Sequence, residues 1–199
     1  MLVVYSKIIG TGSYHPKEVL TNDQLSQMVD TSDEWIRTRS GIVTRRRAGR
    51  FETNATMGAK ALKKALEDAG RTVEDLDLIV VGTNTNRHRW GSCATKIHRY
   101  LKVPKNCGAF DIQAGCTGFA YALTTTDAYM RSGVARVDRG DKKRCIAAIG
   151  TDKLTELVDW TDRETCILFG DLASAFILEE SDEEGLIKHV LGEIGRAHV

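Results

Sequence analysis

Proline is scarce in this chain. Only Pro16 and Pro104 occur in 199 residues, and no proline-rich or low-complexity linker marks a domain boundary, so one folding unit is expected. Apolar runs of membrane-spanning length are missing, and the first residues lack the basic-then-apolar pattern of a secretory signal. No membrane association is expected, and a cytoplasmic location fits. An excess of one charge is also lacking. The 28 Lys and Arg face 27 Asp and Glu, for a net charge of +1, which provides no general field for polyanions and excludes nucleic acid as an expected partner. The five cysteines, at 93, 107, 116, 145 and 166, have no paired short spacing. Neither a zinc site nor a disulfide framework is suggested, and no metal or resident cofactor is expected.

What is present is an alternation of strand and helix patterns. The run Val3 to Gly12 reads as a strand ended by glycines, Thr21 to Gln24 as a capped helix start, and Thr31 to Ile36 as another, with Ser32 or Thr31 as cap. From Thr53 to Gly70, Met57, Ala61, Leu62, Ala65, Leu66 and Ala69 recur at helical spacing with a glycine stop. Asp77 to Gly82 is apolar on both faces, as in a strand covered by helices on both sides. A helix over 92–101, a strand over 109–112, a helix over 117–131 and strands over 144–150 and 174–178 follow. Gly185 to Ile187 is a candidate start of one more strand, and 134–143 reads as a polar loop. This order predicts a layered α/β fold.

Two local features invite a functional reading. Ala109 to Phe119 runs from a short apolar strand through small residues to Cys116 at a helix start. A thiol there would have its thiolate favoured by the positive end of the helix. The alternative is that Cys116 is one more small buried residue. Arg45-Arg46-Arg47, with Arg37, Arg39 and Arg50 nearby, is the only strongly basic stretch. It reads either as a phosphate or carrier-protein contact or as a solvated basic loop.

Taken together, several ordered segments resemble the N-terminal half of a beta-ketoacyl-acyl-carrier-protein synthase III, a condensing enzyme of the thiolase-like superfamily. They are Ile8 to Tyr14, Val29 to Ile36, Arg39 to Ile42, Thr56 to Gly58, Phe110 to Ile112 with Cys116 to Phe119, and Asp159 to Arg163 with Phe169 to Asp171. The resemblance implies a thiolase-like layered α/β fold, of which residues 1–180 would be one half of the duplicated unit. Residues 181–199 would begin the connection to a second half or form a non-native tail.

The implied activity is initiation of fatty acid synthesis. An acyl group passes from acyl-CoA to Cys116, and malonyl acyl carrier protein then condenses with that thioester on losing carbon dioxide. A cysteine suits this because its thiolate is strongly nucleophilic and its thioester stays electrophilic. The Cys116 backbone N–H would be one oxyanion donor. Trp35 matches the tryptophan that stacks on the adenine of coenzyme A, and Arg39 and Arg163 match the arginines around that nucleotide. Trp90 stands where the family has an aromatic reaching into the acyl pocket of the other subunit of a homodimer. Its bulk implies a short primer such as acetyl, whereas simple packing at the dimer interface is the alternative.

Departures accompany the matches. Arg87 to Cys93 lacks the family's proline, and Leu172 replaces a glycine, which would be awkward if that position required a positive φ. The catalytic histidine and asparagine of the family lie in the second half, and His15, His88, His98, His189 and His198 do not match that histidine's context. The expectation is an incomplete chain that accepts an acyl group but does not complete condensation. A non-catalytic CoA-binding or assembly half-domain, and a thiolase or hydroxymethylglutaryl-type acyltransferase, are the alternatives.

Overall fold

A computed structural model describes residues 4–86, 90–134, 140 and 142–192. The chain opens with strand β1 (Tyr5–Tyr14), strand β2 (Glu18–Thr21), helix α1 (Asn22–Ser26), helix α2 (Asp33–Ser40) and strand β3 (Thr44–Arg47). Helix α3 (Asn54–Asp68), strand β4 (Leu78–Gly82), helix α4 (Cys93–Leu101), strand β5 (Gly108–Ile112), helix α5 (Gly118–Ser132), strand β6 (Cys145–Lys153) and strand β7 (Asp171–Ser181) follow.

Five strands form one sheet in the order β1-β7-β6-β4-β5, and β2 pairs with β3 in a separate ribbon. β4 runs parallel to both β5 and β6, while β7 lies antiparallel between β6 and β1. Every residue of β4 is buried, because successive side chains alternate between two covered faces. Ile79 and Val81 join Met57 and Leu62 of α3 and Ile97 of α4 in one core. Leu78 and Val80 join Ala122 and Met130 of α5 in the other. The layered α/β expectation therefore holds, with the sheet between α3 and α4 on one side and α5 on the other.

Helix ends follow local chemistry. The Thr21 side chain caps α1 and Ser32 caps α2, each accepting a backbone N–H in the first turn, which satisfies donors that the helix itself leaves free. Thr53 does the same for α3, and Gly70 beyond its end has φ +61°.

Three expectations are corrected. Gly10 and Gly12 lie inside β1 and do not end it. A Cβ on either would come within 2.4 Å of an α3 carbonyl, so the glycines let the helix lie directly on the strand. The basic run is strand β3 and not a solvated loop. Arg45 is buried, with its guanidinium donating to Asn22 Oδ1 at 2.9 Å and to the carbonyls of Ile167 and Leu20. Arg46 donates to the Pro16 carbonyl, and Arg47 pairs with Glu18 at 2.9 Å. Finally, Gly185 to Ile187 form no strand. The Leu186 N–H bonds to the Ser6 carbonyl at 2.8 Å, an isolated contact on β1. The polar loop lies partly outside the described residues, at 135–139 and 141, as do Arg87, His88, Arg89 and residues 193–199.

Candidate active site

The parallel strands β5, β4 and β6 end side by side, with Ile112, Gly82 and Gly150 in register. Beyond their C-terminal ends lies a cavity of about 550 Å³, the place where open α/β sheets form binding crevices. Cys116 lines it, in a 3₁₀ turn over Gly115–Thr117 between β5 and α5. Within the turn the Thr117 N–H donates to the Ala114 carbonyl and the Gly118 N–H to the Gly115 carbonyl. Neither uses the Cys116 N–H.

Close packing fixes where this turn sits. A Cβ on Gly82 would lie 2.4 Å from the Gly118 carbonyl, so only glycine allows the start of α5 to approach β4 this closely. Phe119 then packs edge-on against Phe176 of β7, with ring centroids 5.0 Å apart.

Cys116 is exposed, whereas Cys93, Cys107, Cys145 and Cys166 are buried. Burial pushes the Cys93 thiol up to about 12, with the Asp111 charge adding to it. The same cause, seconded by Asp77, pushes Cys145 up to about 12, and burial also raises Cys166. Apolar surroundings disfavour the charged form. Of the five, Cys116 is therefore the thiol that both meets solvent and faces a cavity.

The other predicted binding residues come together elsewhere. Trp35 and Arg39 stand one turn apart on α2, and Arg163 comes from the segment after β6. The Arg39 and Arg163 guanidiniums lie 4.6 and 4.4 Å from the Trp35 ring centre, within cation–π range. Arg163 also faces Asp30 at 3.5 Å. Cys166 and Ile167 pack in the same small core as Trp35, and Phe169 and Gly170 then line the Cys116 cavity. A single segment thus links the tryptophan cluster to the cysteine. Trp90 does not join either group. It is 91% exposed and is not among the cavity-lining residues.

Leu172 sits in extended β7 and lines the cavity. Among the described residues Lys102 is the one non-glycine with positive φ, so the replacement of glycine by leucine brings no backbone strain there. No histidine lines the cavity among the described residues. His98 contacts the Pro104 carbonyl at 3.0 Å, and His189 sits between Thr124 at 3.1 Å and Asp127 at 2.9 Å, both on α5. No group of His, Cys, Asp and Glu able to hold a metal ion occurs among the described residues, and none of the described helices is long and apolar enough to cross a membrane.

Four polar residues around the site have roles that the sequence does not reveal. Asp152, at the end of β6, accepts from the Thr83 and Thr85 hydroxyls and from the Asn84 and Thr85 N–H groups at 2.8 to 3.1 Å. Asn84 lies across the cavity wall and donates to the Gly115 carbonyl at 2.9 Å. Asp111 accepts the N–H groups of Cys93 at 2.6 Å and Ala94 at 2.8 Å, which holds α4 by its positive end. Buried Asp171 accepts from Ala48 and Thr155 and so fixes the start of β7. The one available signal was a carboxylate at the end of an apolar strand, where the partner donors come from distant loops.

A family model for 3-Oxoacyl-[acyl-carrier-protein (ACP)] synthase III matches residues 110–195. A curated beta-ketoacyl-[acyl-carrier-protein] synthase III of Actinobacillus pleuropneumoniae is 50% identical over 184 residues, covering 92% of this chain and 55% of that protein. The one of Thioalkalivibrio sulfidiphilus is 43% identical over 194 residues, covering 98% of this chain and 58% of that protein. The solved 3-oxoacyl-[acyl-carrier-protein] synthase III of Aquifex aeolicus superposes with a TM-score of 0.82 at 46% identity, over 89% of this chain and 55% of that one. The chain spans a little over half the length of the curated relatives it matches.

Proposed function

This chain belongs to the beta-ketoacyl-[acyl-carrier-protein] synthase III family, with the thiolase-like α/β fold of that family, and from that membership we propose that it accepts an acyl group from acyl-CoA onto Cys116. The observation that carries this reading is the exposed Cys116 thiol on a glycine-packed turn facing a cavity of about 550 Å³. The thiolate attacks the thioester carbonyl, the electron pair moves to the oxygen, and collapse of the tetrahedral intermediate expels the coenzyme A thiolate.

On this reading Trp35 offers an indole face to the adenine, with Arg39 and Arg163 beside it for the base or the phosphates. The segment from Arg163 to Gly170 is the track along which the pantetheine arm reaches the cysteine. Residues 1–180 act as the N-terminal half of the unit, and the protein works in the cytoplasm as a homodimer. Trp90, with nearly its whole indole in solvent, would cover the acyl pocket of a second copy and favour an acetyl primer. Equal transfer from branched medium-chain acyl-CoA would count against that role.

Condensation with malonyl acyl carrier protein also needs groups that polarise the malonyl thioester, and no histidine faces the cavity among the described residues. The reading therefore assigns this chain the acylation half-reaction. Radiolabelled acetyl-CoA tests it, with and without malonyl carrier protein. A Cys116-dependent acyl-protein with no condensation product is expected. Absence of any acyl-protein favours the non-catalytic CoA-binding alternative.

A further inference from the structure

The Cys116 backbone N–H is useful as an oxyanion donor only if it points at the reacting carbonyl oxygen, and nothing in its own residue fixes that direction. Its peptide unit begins at Gly115, which has φ +51°. A glycine there lets the peptide plane rotate at little steric cost, so some outside contact has to hold it.

Asn84 supplies that contact. Its Nδ2 donates to the Gly115 carbonyl at 2.9 Å, and the Gly118 N–H donates to the same oxygen. The peptide is planar and trans, so its C=O and N–H point in opposite directions. Two donors holding the Gly115 oxygen thereby set the direction of the Cys116 N–H on the other side of the plane. Asn84 is held in turn by Asp152. Asp152 Oδ1 accepts the Asn84 N–H at 2.8 Å, and Oδ2 lies 3.3 Å from the Asn84 amide nitrogen. The other donors on Oδ1, from Thr83 and Thr85, keep that carboxylate in place.

We propose that Asn84, braced by Asp152, is a positioning residue for acyl transfer: by holding the Gly115 carbonyl it aims the Cys116 N–H at the oxyanion. This rests on Cys116 being the acyl acceptor but not on coenzyme A being the donor.

The test uses two reagents on the full chain, the unmodified protein against Asn84→Asp and Asn84→Ala. p-Nitrophenyl acetate acetylates the thiol through a tetrahedral oxyanion: the sulfur–carbon bond forms, the carbon–oxygen bond to nitrophenolate breaks, and the thiol proton passes to water. Iodoacetamide alkylates the same sulfur by direct displacement of iodide and forms no oxyanion. The expected result is a tenfold to hundredfold slower nitrophenolate burst in both variants, about the size of losing part of an oxyanion contact, with Cys116 alkylation within about twofold of unmodified protein. An unchanged burst overturns the proposal. So does an equal fall in both reactions, which would make Asn84 a support of the whole turn, and so does the absence of a burst from unmodified protein. Should one variant fail to fold by circular dichroism, the other carries the comparison. Failure with acetyl-CoA alone, with the p-nitrophenyl acetate result intact, counts against the coenzyme A reading and leaves this one standing.

Discussion

Cys116 and Cys145 are the same residue at opposite ends of the same parallel strands. Cys116 follows the C-terminal end of β5, whereas Cys145 opens β6 at the N-terminal end. The Cys145 N–H is held by Asp77 Oδ2 at 2.8 Å, and burial pushes its thiol up to about 12. At the other end, the chain carrying Cys116 has turned away from the sheet, and glycines rather than side chains fill the space behind it. Solvent exposure, more than the chemistry of sulfur, separates these two thiols.

The largest predicted effect is at the exposed thiol. Cys116→Ala is expected to abolish acetyl transfer while leaving the thermal midpoint within the range of an ordinary surface change, as read by scanning calorimetry beside the acylation assay. A midpoint fall of many degrees would show that Cys116 also holds the fold. Next comes Gly82→Ala. Its Cβ would meet the Gly118 carbonyl at 2.4 Å, so overpacking should cost about 1–3 kcal/mol in urea unfolding and slow the alkylation of Cys116.

Burial of the other thiols carries a pH dependence. Cys93 and Cys145 start from 9.0 and are both raised to about 12 in the folded chain, so the folded state keeps their protons longer than the unfolded one does. Their contribution is fully present below pH 9 and is lost as pH rises toward about 12. Urea unfolding measured across that window should show stability falling with pH, and Cys145→Ala should make the fall shallower. An unchanged slope in the variant would refute the assignment. The smallest effect lies away from both thiols. Thr53→Ala removes the hydroxyl that accepts the Thr56 N–H and should cost about 1 kcal/mol, without altering Cys116 alkylation.

Much of the scaffold was legible in the sequence because it depends on local pattern. The all-apolar β4 announced a sheet covered on both faces, and the spacing of Met57, Leu62 and Leu66 announced α3. Gly10 and Gly12 look like a strand end in the sequence, since the helix that needs their missing side chains is brought there by tertiary packing. The β2–β3 ribbon was invisible because Thr44 to Arg47 have no apolar alternation. Arg45 is burial-compatible only through oxygens from Leu20, Asn22 and Ile167. The position of Cys116 could be read from the strand, small-residue and helix succession together with the family resemblance. Asn84 and Asp152 could not, because their roles arise where the loop after β4 meets the ends of β5 and β6.

The most direct measurement maps acetyl groups over all five cysteines after brief exposure of the folded chain to acetyl-CoA, by peptide mass spectrometry with a denatured sample as control. The expected result is acetyl on Cys116 alone in the folded chain, with Cys93, Cys107, Cys145 and Cys166 becoming modifiable by a thiol reagent only after denaturation. Acetyl spread over several cysteines, or none on Cys116, would contradict the distinction between the exposed thiol and the four buried ones.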